Sequence, residues 1–244
     1  MIRNYHKWHS NVLNQEMELL VFGNSGASVL FFPTRGARFY DYEDWGVLKS
    51  LEHKINAGQL QVICVDSVDK DSFYFEGKNA DEKLNKHLQY ETYILTEVIP
   101  FIDKQNPDSY KIVAGCSMGA FHAVNIALRH PQFFNKVVGM SGRYDLTQNL
   151  GDFKDLFNGE RNVETYFNSP NQFLPNLTDL KILDAIRKLD ITIVIGETDA
   201  FITNNQQFSF ICNEKQIDHK FLIWENEAHR PKYWRTMVDL YLWT

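Results

Sequence analysis

The residues with the clearest chemical potential are Gly115-Cys116-Ser117-Met118-Gly119, set between the apolar run 111–114 and the helix-forming stretch AFHAVNIALRH. Strand, tight turn and helix in that order are what a nucleophile elbow needs. The serine stands on a strained turn with its hydroxyl exposed, and glycines on either side remove β-carbons that would strike the adjoining strand and helix. The chemistry on offer is attack of a serine oxygen on a carbonyl carbon. Gly139-Met140-Ser141-Gly142 also follows an apolar run but has no residue between its serine and second glycine, so Ser141 reads as a turn or pocket-wall residue.

A serine hydroxyl is a weak nucleophile, so it needs a general base and a carboxylate to orient that base, later in the chain in the order Ser, Asp or Glu, His. The run ITIVI leads into Gly196-Glu197-Thr198-Asp199, which makes Asp199 the candidate acid and Glu197 its substitute. The run KFLIW leads into Glu225-Asn226-Glu227-Ala228-His229, which makes His229 the candidate base. His219 leads into a strand at the wrong end, and His53, His87, His122 and His130 fall in helical segments. His6 and His9 form an isolated i, i+3 pair without nearby cysteine or acidic ligands, so no metal site is indicated. An oxyanion needs two donors. The Met118 amide, at a helix start, is one. The loop Pro33-Thr34-Arg35-Gly36 supplies the other, with Arg35 first and Gly36 next, although Gly36 also suits a simple chain reversal.

These residues must be carried by elements that bring their loops to one edge. Mostly unbroken apolar runs at 17–22, 28–32, 61–65, 111–114, 136–140, 191–195 and 220–224 predict strands buried on both faces. Segments with helical spacing alternate with them at 43–57, 81–104, 118–130, 179–188, 205–215 and 232–242, with Pro100 expected to kink the second near its end. The pattern predicts an α/β chain, a mostly parallel sheet covered on both faces. The stretch 143–177, rich in Asn, Asp, Gly and aromatics, reads as an excursion forming part of a lid or pocket wall. The aromatic-rich 39–45 and the segment 67–74 are expected to line the approach.

Composition narrows the partners. With 25 basic against 31 acidic residues, net charge −6 and no basic cluster, neither nucleic acid nor an anionic membrane is expected. The apolar runs are too short to span a bilayer, and the polar N-terminus does not read as a secretory signal. Three separated cysteines, Cys64, Cys116 and Cys212, build no disulfide framework, so a soluble cytoplasmic protein is expected. The 244 residues are read as one domain, and a homo-oligomer is compatible with them.

With serine, acid, base and oxyanion loop in place, the chain resembles the α/β-hydrolase fold, a three-layer α/β/α sandwich. Within it the chain is similar to the esterase family that includes esterase D-like enzymes and the antigen 85 mycolyltransferases. The resemblance rests on the elbow with Met118 after the serine, on Glu97-Val98-Ile99-Pro100-Phe101-Ile102-Asp103, on Ser141-Gly142-Arg143-Tyr144-Asp145, and on His229 followed by Trp234. It implies a cofactor-independent serine esterase acting on a small-molecule ester. Two positions depart from the family: Pro33-Thr34 stand where relatives carry His-Gly or Asp-Gly, and Pro231 where many carry Trp. The resemblance also admits acyl transfer to an alcohol. Cys116, beside the proposed nucleophile, raises thioester hydrolysis, as of S-formylglutathione, against the plainer role of a small buried side chain. A non-catalytic binding protein of this fold would be expected to have lost a triad member, and none is lost.

Overall fold

The computed structural model describes residues 1–243. The apolar runs become strands β2 (Gln15–Phe22), β3 (Ala27–Phe32), β4 (Leu60–Val65), β5 (Lys111–Cys116), β6 (Lys136–Met140), β7 (Asp190–Gly196) and β8 (His219–Trp224). One strand is not legible as an apolar run: β1 (Arg3–Ser10) is a polar edge strand paired antiparallel to β2. Residues three apart on a strand face opposite sides. The His6 and His9 pair, read at helical spacing, is therefore not a pair.

All eight strands join one sheet in the order β1-β2-β4-β3-β5-β6-β7-β8, parallel from β4 to β8 and antiparallel at the β1-β2-β4 edge. Alternate residues of the inner strands feed two cores. Leu30 and Phe32 face one side with Tyr90, Ile126 and Phe208, while Val29 and Phe31 face the other with Leu48, Ile55, Met237 and Val238. Burial on both faces is why these strands read as continuous apolar sequence. The fold is the α/β-hydrolase sandwich, and its crevice opens between β3 and β5, where the chain's winding reverses direction.

The predicted helix 43–57 is corrected to three short pieces, α1 (Asp41–Asp44), α2 (Val47–Ser50) and α3 (Glu52–Asn56). Gly46, at φ +70°, turns the chain left-handed between the first two. The long helix also differs in detail. It runs as α4 (Ala80–Tyr93), a π-turn over Ile94–Val98, and α5 (Ile99–Gln105). Pro100 lies in the first turn of α5. In a regular α-helix its ring would collide with the carbonyl four residues back, and the ladder widens to the π-turn just before it. Glu97, within the π-turn, accepts from Trp8 Nε1 at 2.7 Å and Ser10 Oγ at 2.8 Å, tying the edge hairpin to the helix layer.

Helix α6 (Met118–Arg129) follows β5 directly, and α7 (Val163–Phe167), α8 (Pro170–Phe173) and α9 (Leu180–Ile186) follow β6. The first two of these short helices lie within the 143–177 excursion. Helix α10 (Ile202–Glu214) follows β7, and α11 (Pro231–Tyr241) follows β8. None of the described helices is long and apolar enough to cross a membrane.

Candidate active site

The turn between β5 and α6 has the crowding its glycines imply. A β-carbon on Gly115 would lie 2.2 Å from the Gly119 carbonyl, and one on Gly119 would lie 2.2 Å from the Phe32 oxygen. The strand before the serine, the helix after it and the end of β3 thus touch through backbone. Ser117 itself has φ +55° and ψ −118°, a conformation costing a non-glycine residue about 1–3 kcal/mol. Packing holds it there: Ser117 N donates to Met140 O at 2.8 Å, and Cys116 N donates to Tyr42 Oη at 3.0 Å. Tyr42 Oη donates onward to Phe32 O at 2.9 Å. The aromatic segment 39–45 is therefore corrected from pocket lining to support. Tyr42 lies buried under the elbow, stacked on Phe31 at 4.0 Å, and Trp45 packs against Trp234.

His229 and Asp199 meet directly, with His229 Nδ1 and Asp199 Oδ2 2.7 Å apart. A buried carboxylate accepts, so Nδ1 donates and Nε2 is the nitrogen left for proton transfer. The second Asp199 oxygen accepts from Phe201 N at 2.9 Å, fixing the carboxylate. Glu197 is exposed and turned elsewhere: its side chain accepts from Asn226 N at 3.0 Å. Between the two acids considered from sequence, only Asp199 touches the imidazole. Phe201 and Trp234 pack edge-on against the His229 ring, at 5.5 and 5.8 Å between centroids. Phe201 also lines the cavity at Ser117, so it joins the histidine to the elbow. Ser117 Oγ has no hydrogen-bond partner among the described residues.

The cavity beside Ser117 has a volume of about 20 Å³, with Arg35, Met118, Tyr74 and Phe121 among its walls. Neither the Arg35 nor the Met118 amide donates to a protein acceptor among the described residues. Gly36, at φ +67°, forms the turn in which Ala37 N bonds to Thr34 O. Position therefore separates Arg35, on the cavity wall, from Gly36, in the bend beside it. The 143–177 excursion contributes Arg143, Leu146 and Phe153 to the walls, as a lid or pocket wall should. Arg143 was visible only as part of a motif. Its guanidinium is buried and donates to the carbonyls of Asp145, Leu146, Gln148 and Lys154, holding the excursion in shape. Ser141, the near-miss serine, also has φ +56° and bonds to the base-bearing loop instead of facing the cavity.

Comparison with known proteins agrees with this architecture. The family profile described as "Putative esterase" matches residues 10–236. Among curated proteins, no sequence matches the chain. Several solved structures share the fold over nearly the whole length. A ferulic acid esterase superposes with TM-score 0.78 at 17% identity, covering 99% of this chain and 96% of that one. An S-formylglutathione hydrolase from Agrobacterium tumefaciens gives 0.76 at 16% identity, covering 98% and 92%. The fluorophosphonate-binding serine hydrolase FphF from Staphylococcus aureus gives 0.73 at 17% identity, covering 98% and 96%. With the profile spanning most of its length, the chain belongs to this esterase family.

Proposed function

We propose that the protein is a serine esterase that cleaves a carboxylic ester through an acyl-enzyme, with Ser117 as nucleophile, His229 as general base and Asp199 as its orienting acid. The observation that carries the reading is the 2.7 Å contact of His229 Nδ1 with buried Asp199, at the same end of the sheet at which β5 delivers Ser117. Ser117 Oγ attacks the ester carbonyl while its proton passes to His229 Nε2. The imidazolium is stabilised by Asp199, which stays ionised. The Met118 and Arg35 amides bind the oxyanion. Collapse expels the alcohol, which takes the proton from His229, and water activated by the same nitrogen releases the acid and frees Ser117. In ligand-free serine hydrolases the serine-histidine bond is often long and tightens around substrate, which fits the free Ser117 hydroxyl.

A second substrate class on the same machinery is thioesters, supported by the likeness to an S-formylglutathione hydrolase. Cys116 takes no part in this reading. Its thiol is buried, and burial pushes its pKa up, so it stays protonated and inert. Three free, buried cysteines support a reducing, cytoplasmic setting.

The deciding experiment is labelling with a fluorophosphonate probe. Wild type should label stoichiometrically and hydrolyse a 4-nitrophenyl ester, and Ser117→Ala should do neither. Undiminished labelling of Ser117→Ala removes the nucleophile. Adding alcohol acceptors separates hydrolysis from transfer, since product partitioning strongly toward the acceptor makes the enzyme a transferase.

A further inference from the structure

The loop that carries the Arg35 amide is held at its two ends and left open at its bend. Upstream, the Phe32 carbonyl accepts from buried Tyr42 and lies against Gly119 of the elbow. At the bend, a β-carbon on Gly36 would approach only Lys70, at 3.9 Å, and the exposed Arg35 guanidinium rests 4.6 Å from the centroid of the Tyr74 ring. Little at the bend itself wedges the amide in place. Downstream, Arg38 Nε donates to both oxygens of Asp66 at 2.8 Å, and Nη2 lies 2.8 Å from Asp66 Oδ2 and 2.8 Å from Glu18 Oε2. The Arg38 amide donates to Asp41 Oδ2 at 2.6 Å.

Both acids are fixed posts. Asp66, just past β4, donates its N–H to Glu18 O at 3.2 Å, and its own carbonyl accepts from Tyr90 Oη on α4 at 2.6 Å. Burial pushes the Asp66 carboxyl up, while Arg38 and the Ser67 amide favour its charged form and Glu18 opposes them. Glu18, on β2, also accepts from Tyr5 Oη on β1 at 2.6 Å. The antiparallel edge, which carries no triad residue, thus reaches the oxyanion loop through one side chain. A planar guanidinium suits that task, because its donors leave in fixed directions and one fork can hold two carboxylates.

We infer that Arg38 is a positioning residue: its guanidinium, forked between Asp66 and Glu18, fixes the downstream end of the loop and so aims the Arg35 amide at the oxyanion. This rests on the serine-esterase reading above. The amide matters most when the carbonyl oxygen becomes charged, so the effect belongs in kcat.

The test is hydrolysis of 4-nitrophenyl acetate alongside thermal melting. Arg38→Ala should lower kcat about ten- to a hundredfold with KM changed less than about threefold, short of the roughly hundred- to thousandfold cost of losing an oxyanion donor outright. Arg38→Lys should recover part of kcat, since it keeps a cation tied to the loop but not the fork. Asp66→Asn attacks the contact from the other side and should give the same split at several-fold, which serves if Arg38→Ala does not fold. The double variant should be no worse than Arg38→Ala alone. Arg3→Gln removes a second two-bond ion pair on the same edge, to Glu43, and should leave kcat unchanged. The pH midpoint of kcat/KM should stay where it is in wild type. Losses in melting temperature or KM alone, additive losses in the double variant, an equal loss in Arg3→Gln, or a moved pH midpoint with an unchanged plateau would each overturn the assignment. A wild-type protein that neither turns over the ester nor labels with fluorophosphonate is the separate signature that the esterase reading has failed.

Discussion

Trp234 donates its indole N–H to Ser141 Oγ at 3.3 Å, and Ser141 donates in turn to the carbonyl of Ala228, the residue before His229, at 3.2 Å. The loop carrying the histidine has Asn226 and Ala228 at positive φ. It also lies against Gly196, where an added β-carbon would come within 2.0 Å of the Glu227 oxygen. Two segments that looked like unrelated family signatures, Ser141-Gly142-Arg143 and the Trp234 after His229, are thus two ends of one clamp on the base.

Loosening that clamp should misplace the imidazole without removing it. Ser141→Ala and Trp234→Phe are each expected to lower kcat on the order of ten- to a hundredfold with little change in KM. Stability should fall by only about 1–2 kcal/mol per lost buried hydrogen bond. Steady-state kinetics alongside thermal melting checks this, and a loss confined to melting temperature would reduce the clamp to scaffolding.

The two acids near His229 separate by mutation. Asp199→Asn removes the acceptor that holds the Nδ1 proton and should cost about 10⁴ in kcat, the scale seen when a triad acid becomes an amide. Glu197→Gln keeps a side-chain oxygen for Asn226 N and should cost less than about tenfold. A larger loss in Glu197→Gln reverses the assignment.

Acid should weaken the fold before it reaches the carboxylates. His87, on α4, is buried against His122 and Arg129, and burial with those neighbours takes its pKa down from 6.5 to about 4 despite Glu91 and Asp69 nearby. The unfolded chain therefore binds the proton more readily. The stability from neutral His87 is fully present above pH 6.5 and is lost as pH falls toward 4, about 3 kcal/mol at most. Burial alone would raise Glu91, but the His130 hydrogen bond and the Arg129 charge hold it at about 2. Its contribution is present above pH 4.5 and disappears as pH falls through 2. Urea unfolding at pH 7 and pH 5 should show the first loss, and His87→Gln should flatten that interval. An unaltered slope in the variant assigns the loss elsewhere.

The cysteines should be silent. Cys64, Cys116 and Cys212 are all buried, and burial raises each thiol. A disulfide exchange reagent should label none of them in the native enzyme and all three after unfolding. Rapid native labelling of Cys116 with loss of activity would give the thiol a role that the geometry denies it.

Much of this protein was legible in one dimension because its physics is local. The elbow is a contiguous strand, turn and helix whose glycines exclude β-carbons, and strands buried on both faces keep apolar residues at successive positions. Asp199 and His229 could be nominated because each lies just past such a strand. The polar edge strand Arg3–Ser10 was missed because its pairing with β2 is non-local and its exposed faces carry no hydrophobic pattern. The helix expected at 43–57 broke at a glycine whose positive φ only the packed chain imposes. Tertiary structure alone decided between Asp199 and Glu197, since both follow β7 and only the approach of the β7 and β8 loops selects which carboxylate meets the imidazole. It also turned Tyr42 from a pocket residue into a support and brought Arg143 from a motif to the cavity wall. Sequence spacing determines which residues share an element, whereas the meeting of loops from β3, β5, β6, β7 and β8 is set by the twist and packing of the whole sheet.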